Sequence, residues 1–312
     1  MQFKHAGQVA VGVILAGMLS LAGGCGSSAA AGGTAGSGGK IEILAAENQY
    51  GDVAEQIGGS HVSVTSIISD PNADPHDFEA KPSDAKLIAK SSIVIENGVG
   101  YDDWLDKMLT AHKNSSRTVI SAQKVLGMPD DTRNPHLWYD PKTMPAVAST
   151  LAAQLERLDP SHASDYQRNL DSFDSSMNAY TQGLEKFQKT YPNVSVAATE
   201  PVANYLLNNA GITIKTPWSL QAAIMNDQDP SAQDSGIQMG LFTGRKVDAF
   251  VYNEQVVSDL TKKYMASAKE NGVPIVAVYE TMPANYHYVK WMTAELGAIE
   301  KAVSAKQSTE KL

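Results

Sequence analysis

Two short phrases set a histidine in a stiff loop. Asp74-Pro75-His76-Asp77-Phe78 and Asn134-Pro135-His136-Leu137-Trp138 each place His directly after Pro, with an aromatic residue two positions on. Proline fixes its own φ and drives the residue before it to extended geometry, so the imidazole is presented from a constrained backbone. That suits a metal ligand, whose donor atom has to be held in place. One such histidine alone is as readily a surface or hydrogen-bonded residue. The repetition of the phrase makes His76 and His136 candidate ligands.

Two glutamates stand at matching places later in the chain: Glu200 directly after the apolar run 194–199, and Glu280 directly after 275–279. In open α/β sheets, ligands gather outside the carboxyl ends of strands, and acids that end two strands of one sheet can converge there. Two neutral imidazoles and two carboxylates balance a divalent cation, a donor set that suits Mn²⁺, Fe²⁺ or Zn²⁺.

The elements that must position these residues follow from periodicity. Apolar, β-branched runs at 41–45, 62–68, 93–95 and 118–120 alternate with helical patterns, among them 86–90 and 101–112. This alternation predicts an α/β lobe with a mostly parallel sheet. The pattern restarts with runs at 194–198, 247–251 and 275–278, separated by helical stretches such as 231–242 and 256–271, and predicts a second α/β lobe. No sequence repeat links the halves.

Between the lobes, Asp159-Pro160 offers an N-cap and a proline at the first helical position. Tyr166, Leu170, Phe173, Met177, Tyr180, Leu184 and Phe187 then recur at steps of four and three up to Tyr191-Pro192. The stripe predicts one helix over about 160–190, roughly 45 Å long. It would also serve a coiled coil, but α/β sequence on both sides favours a spine lying along two lobes.

The start of the chain differs from the rest. Lys4 precedes an uncharged apolar run over 9–21, the layout of a secretory signal peptide, which ends in Leu21-Ala22-Gly23-Gly24-Cys25. Small residues before a lone Cys resemble the lipobox of bacterial lipoproteins, so Cys25 is expected to carry lipid and hold the protein to the membrane on its outer side. The run is barely long enough for the alternative, an uncleaved membrane anchor. Residues 26–39 are almost wholly Gly, Ser, Ala and Thr and read as a flexible tether. The expected organisation is a signal peptide at 1–24, a lipidated tether at 25–39, a first lobe at 40–142, a helical linker at 143–192 and a second lobe at 193–312. With a single Cys, an internal disulfide and a multi-thiolate metal site are both excluded. The net charge of −9 argues against nucleic acid as a partner.

Taken together, these residues, their order and the spine resemble the zinc and manganese solute-binding lipoproteins of ABC importers. Further matching phrases are Ile57-Gly58-Gly59, Phe78-Glu79 with Pro82-Ser83-Asp84, Asn97-Gly98 with Trp104-Leu105, and Trp138-Tyr139-Asp140-Pro141. The resemblance implies two α/β lobes joined by a single long helix, with the ion held between them by His76, His136, Glu200 and Glu280. It also implies delivery to a permease with its ATPase, by a protein expected to be a monomer. Family members often carry His at the third position for zinc and Glu for manganese, and Asp at the fourth. Glu280 departs from that Asp, and the His-rich loop common in zinc-specific members is missing. Both Glu200 and the missing loop tilt the expected cargo slightly toward manganese or iron.

Other residues are candidates for supporting the site from behind the ligands: Glu47 after the first strand, Asn226-Asp227 in a loop of the second lobe, and His287, a rival to Glu280 that opens the last helix. His61, His112 and His162 read as solvated. Two other functions compete. A surface zinc hydrolase needs an open coordination position and a general base, and neither a His-Glu-x-x-His helix nor a Gly-x-Ser-x-Gly elbow occurs in the chain. An adhesion lipoprotein has no sequence feature against it.

Overall fold

A computed structural model describes residues 39–71, 75 and 78–312. In the first lobe, β1 (Ile41–Glu47), β2 (Val62–Ile68), β3 (Ile93–Glu96) and β4 (Thr118–Ser121) pair in parallel in the order β2-β1-β3-β4. Helices α1 (Asn48–Gly58), α2 (Pro82–Lys90) and α3 (Asp103–Ala111) form the crossovers, and α4 (Ala122–Leu126) leads out of β4. Side chains alternate across the sheet. Ile43, Ala45, Ile93 and Ile95 enter the main core, while Leu44, Ala46 and Val94 meet Ile88 of α2 and Leu105 of α3 on the other face. A sheet covered on both faces explains why these strands read as continuous apolar runs.

The second lobe repeats the order as β6-β5-β7-β8, again all parallel, from β5 (Ser195–Ala198), β6 (Thr213–Ile214), β7 (Ala249–Asn253) and β8 (Ile275–Val278). The duplication therefore lies in topology, without a repeated sequence. β6, two residues long, is too short to leave a periodic signal. Helices α9 (Ala232–Thr243) and α10 (Asp259–Glu270) begin where Ser231 and Ser258 accept hydrogen bonds from the backbone N–H three residues on.

Helix α5 (Thr143–Leu158) leads to the spine, α6 (Ala163–Thr190). All seven residues of the sequence stripe are buried along it. They face α1 and α5 on one side and α11 (Tyr288–Ala305) on the other. The spine starts later than the sequence predicts, because Pro160–His162 form a 3-10 turn first. Asp159 makes no side-chain cap. Its carboxylate instead accepts from Ser161 Oγ and Tyr166 Oη and pairs with His162 Nδ1.

Polar bonds join the lobes directly. The Asn48 amide pairs both ways with the Met282 backbone, at 2.9 Å each. Asp52 of α1 caps α11 from the other lobe, accepting from Tyr288 N at 2.8 Å and from His287 Nδ1 at 2.6 Å. Among the described residues no helix is long and apolar enough to cross a membrane.

Candidate metal centre

The segment around His136 is clasped from both sides. Asn97, following β3, donates its amide to Pro135 O at 2.8 Å, and Tyr50 Oη donates to Asn97 Oδ1 at 2.7 Å. Gly98 completes this corner with φ +80°, where an added Cβ would stand 2.8 Å from Gln123. From the other lobe, the Asn134 amide reaches Pro201 O at 2.9 Å, and Tyr205 Oη donates to Asn134 O at 3.0 Å. Tyr288 Oη bonds Trp138 O, while Tyr139 Oη accepts from Tyr279 N at 3.2 Å and lies 2.8 Å from Tyr279 O. Pro201 follows Glu200 and Tyr279 precedes Glu280, so the loop that presents His136 is bonded to the neighbours of both glutamates.

Asn134 Oδ1 also accepts from His136 N at 3.1 Å and from His136 Nδ1 at 2.7 Å. An acceptor at Nδ1 fixes the proton there and turns the Nε2 lone pair toward the centre, the usual second contact of a metal-binding imidazole. His136 Nε2 stands 3.4 Å from Glu280 Oε2, and both side chains are fully buried.

Glu280 is held at each polar atom. Oε1 accepts from Asn253 Nδ2 at 2.7 Å, Oε2 from Tyr101 Oη at 2.9 Å, and the backbone N–H donates to Gln255 Oε1. Tyr101 belongs to the first lobe and packs edge-on against His136, 5.8 Å between ring centres. Gln255 also donates to Pro71 O at 2.6 Å, tying the residues that follow β2 to the Glu280 turn. Glu200, buried, follows β5, the strand from which the sheet order turns back, and Asn253 and Glu280 lie at the ends of β7 and β8. Polar groups from three strand ends therefore gather at the carboxyl edge of one sheet.

The first lobe also holds a group of buried acids, Glu47, Glu96 and Asp102. Glu47 ends β1 with both carboxylate oxygens lacking a hydrogen-bond partner among the described residues. Burial, then the charges of Asp102 and Glu96, push its carboxyl well above the usual carboxylate range. Asp102, which accepts from the N–H groups of Asn97 and Gly98, is itself pushed up to about 7, chiefly by burial. Burial thus works against the charged form of Glu47 that metal ligation needs.

A model of the zinc-uptake complex component A family, periplasmic (ZnuA), matches residues 43–302. The chain belongs to this family. It is 26% identical to the manganese-binding lipoprotein MntA of Bacillus subtilis over 75% of this chain and 77% of the relative. It is 22% identical to the iron-binding protein YfeA of Yersinia pestis over 85% of this chain and 82% of the relative. The solved periplasmic zinc-binding protein TroA of Treponema pallidum shares the fold with a TM-score of 0.71 at 16% identity, covering 86% of this chain and all of that one.

Within this family's fold the other sequence candidates fall in different places. His76 lies outside the described residues, as does Cys25. Asn226 and Asp227 form the exposed turn that ends α8 (Trp218–Met225), and the Asn226 amide bonds back to Ala222 O. His287 points at Asp52 with its ring largely exposed, so it braces the lobes where a rivalry with Glu280 was open. His112 is exposed. His61 and His162 are not simply solvated: their rings stack 3.8 Å apart, and each bonds a carboxylate. Sequence reasoning missed Tyr101, Asn253 and Gln255 as supports. Asn253 ends a strand exactly as the two glutamates follow theirs, and that position was its one available signal.

Proposed function

We propose that this chain captures a divalent transition-metal ion between its lobes, outside the cytoplasm, and delivers it to the permease and ATPase of an ABC importer. The ligands are His76 and His136 from the first lobe and Glu200 and Glu280 from the second. The observation that carries this reading is the 3.4 Å between His136 Nε2 and Glu280 Oε2. Two donors each 2.0–2.2 Å from one tetrahedral ion stand about 3.4 Å apart. Two imidazoles with two carboxylates suit Zn²⁺, Mn²⁺ or Fe²⁺, and relatives are named for manganese and iron binding. Four protein ligands leave no open position for an activated water, and the reported relatives are named as binding proteins, which supports a carrier over a hydrolase.

The protein works as a monomer, exported and held to the membrane by lipid on Cys25 through the tether at 26–39. Elemental analysis of protein purified without added metal, followed by competition between Zn²⁺ and Mn²⁺, tests the reading. One tightly held transition-metal ion per chain is expected, and a preparation that takes up neither ion contradicts it. Replacing Cys25 by Ser is expected to release the protein from membranes with metal affinity unchanged.

A further inference from the structure

We propose a second divalent transition-metal site, held by His61, Asp159 and His162 where the first lobe meets the start of the spine helix. His61 closes the short turn that leads into β2, while Asp159 precedes and His162 ends the 3-10 turn that opens α6. The site thus lies at the amino end of β2, whereas the inter-lobe centre gathers at carboxyl strand ends. One donor atom from each of the three residues lies within 4.8 Å of the other two. The two imidazole rings stack at 3.8 Å with 21° between their planes, so residues distant in sequence are brought together, and the rings must tilt for a nitrogen of each to meet one ion.

The donors are already arranged by neighbours. Asp159 Oδ2 takes His162 Nδ1 at 2.6 Å and Tyr166 Oη at 2.9 Å, and Ser161 Oγ holds the other oxygen. His61 Nε2 bonds Asp165 Oδ2 at 2.9 Å, the carboxylate contact that commonly orients a metal-binding imidazole. An ion takes the place of the proton shared between His162 and Asp159. Tetrahedral donors stand about 3.4 Å apart, so on binding the His162–Asp159 pair opens from 2.6 Å while the remaining donors, within 4.8 Å, close in. Side-chain rotation suffices, since the His61 and His162 side chains are 21% and 44% exposed, and the same exposure gives the ion its route in. Two imidazole nitrogens and one carboxylate suit Zn²⁺, Ni²⁺, Co²⁺ or Cu²⁺ and disfavour Mg²⁺ and Ca²⁺, and a three-residue site is completed by water. With an ion bound, the turn before β2 is fastened to the base of the spine.

The experiment is a Zn²⁺ titration of the full protein by native mass spectrometry and calorimetry, with Co²⁺ absorption reporting coordination geometry. Wild type is expected to bind two equivalents, the second more weakly. The double variant His61→Gln/His162→Gln should lose only the second equivalent, and Glu280→Ala should keep it while its tight equivalent weakens. Asp159→Asn, which keeps the size of the side chain and one of its two acceptor oxygens, should weaken the second equivalent at least tenfold and decides the matter if the double variant fails to fold. Saturation of wild type at one equivalent, or a second equivalent unchanged in Asp159→Asn, overturns the proposal.

Discussion

His136 Nε2 and Glu280 Oε2, carried by different lobes, stand 3.4 Å apart in a fully buried setting. The spacing is set by the partners of each: Asn134 at His136 Nδ1, and Asn253 and Tyr101 at the Glu280 carboxylate. Because Tyr101 comes from the first lobe, its hydroxyl fixes a second-lobe carboxylate across the cleft. Tyr101→Phe removes that bond and keeps the ring packing on His136. Metal affinity is expected to fall by about 10–100-fold, with the fold intact by circular dichroism.

Asn134 does three things, orienting His136 through two bonds and joining the lobes at Pro201. Asn134→Ala leaves buried backbone groups without a partner. The expected cost is about 1–3 kcal/mol by denaturant unfolding, together with about 10–100-fold in affinity. Loss of stability with affinity unchanged would mean that the Nδ1 contact does not prepare the ligand.

Glu295 of α11 is buried, and its Oε1 accepts from Tyr139 Oη and Trp291 Nε1. Burial pushes its carboxyl up to about 8, against which these donors pull only partly. A folded-state value above the unfolded one means that the native protein holds a proton the unfolded chain has released. Stability therefore falls as pH rises from the ordinary carboxylate range to about 8 and then levels off. Asp102 and Glu47 act with the same sign. Glu295→Gln is expected to flatten part of this slope, measured as unfolding free energy at pH 5 and pH 8.5, and to gain stability at the higher pH relative to wild type. Identical slopes in variant and wild type would show that Glu295 ionises freely in the fold.

The spine and the direct bonds Asn48 to Met282, Asp52 to Tyr288 and Tyr139 to Tyr279 brace the lobes against wide opening. Metal is expected to cause local loop changes, so small-angle scattering of metal-free and loaded protein should nearly superimpose. A large compaction on loading would mean that α6 is not a rigid link.

Much of the fold was legible because its strands are short, apolar and buried on both faces, and because one uninterrupted stripe from Tyr166 to Phe187 has no competing reading as a strand. The candidate ligands His136, Glu200 and Glu280 were legible from local context, one from its Pro-flanked loop and two from their places after strands. Their supports were not. Tyr101, Asn253 and Gln255 acquire roles only when the two lobes meet, and no spacing records that meeting. His61 and His162 looked solvated for the same reason, since each is an isolated polar residue until the base of the spine sets the rings together. The late start of α6 shows a local competition: Asp159 has the residue type of an N-cap, but Ser161, His162 and Tyr166 take its carboxylate.

The central claim is that one ion bridges the lobes through ligands that include Glu280. Its most direct test is the affinity of Glu280→Ala for Zn²⁺ and Mn²⁺, measured by chelator competition on protein shown to be folded. Removing a ligand is expected to weaken the tight equivalent by more than about 100-fold, exceeding the usual effect of losing an outer contact. Glu280→Asp should fall between, since the charge remains while the reach and the bonds from Asn253 and Tyr101 are altered. Wild-type affinity in Glu280→Ala would contradict the account and move the fourth ligand elsewhere.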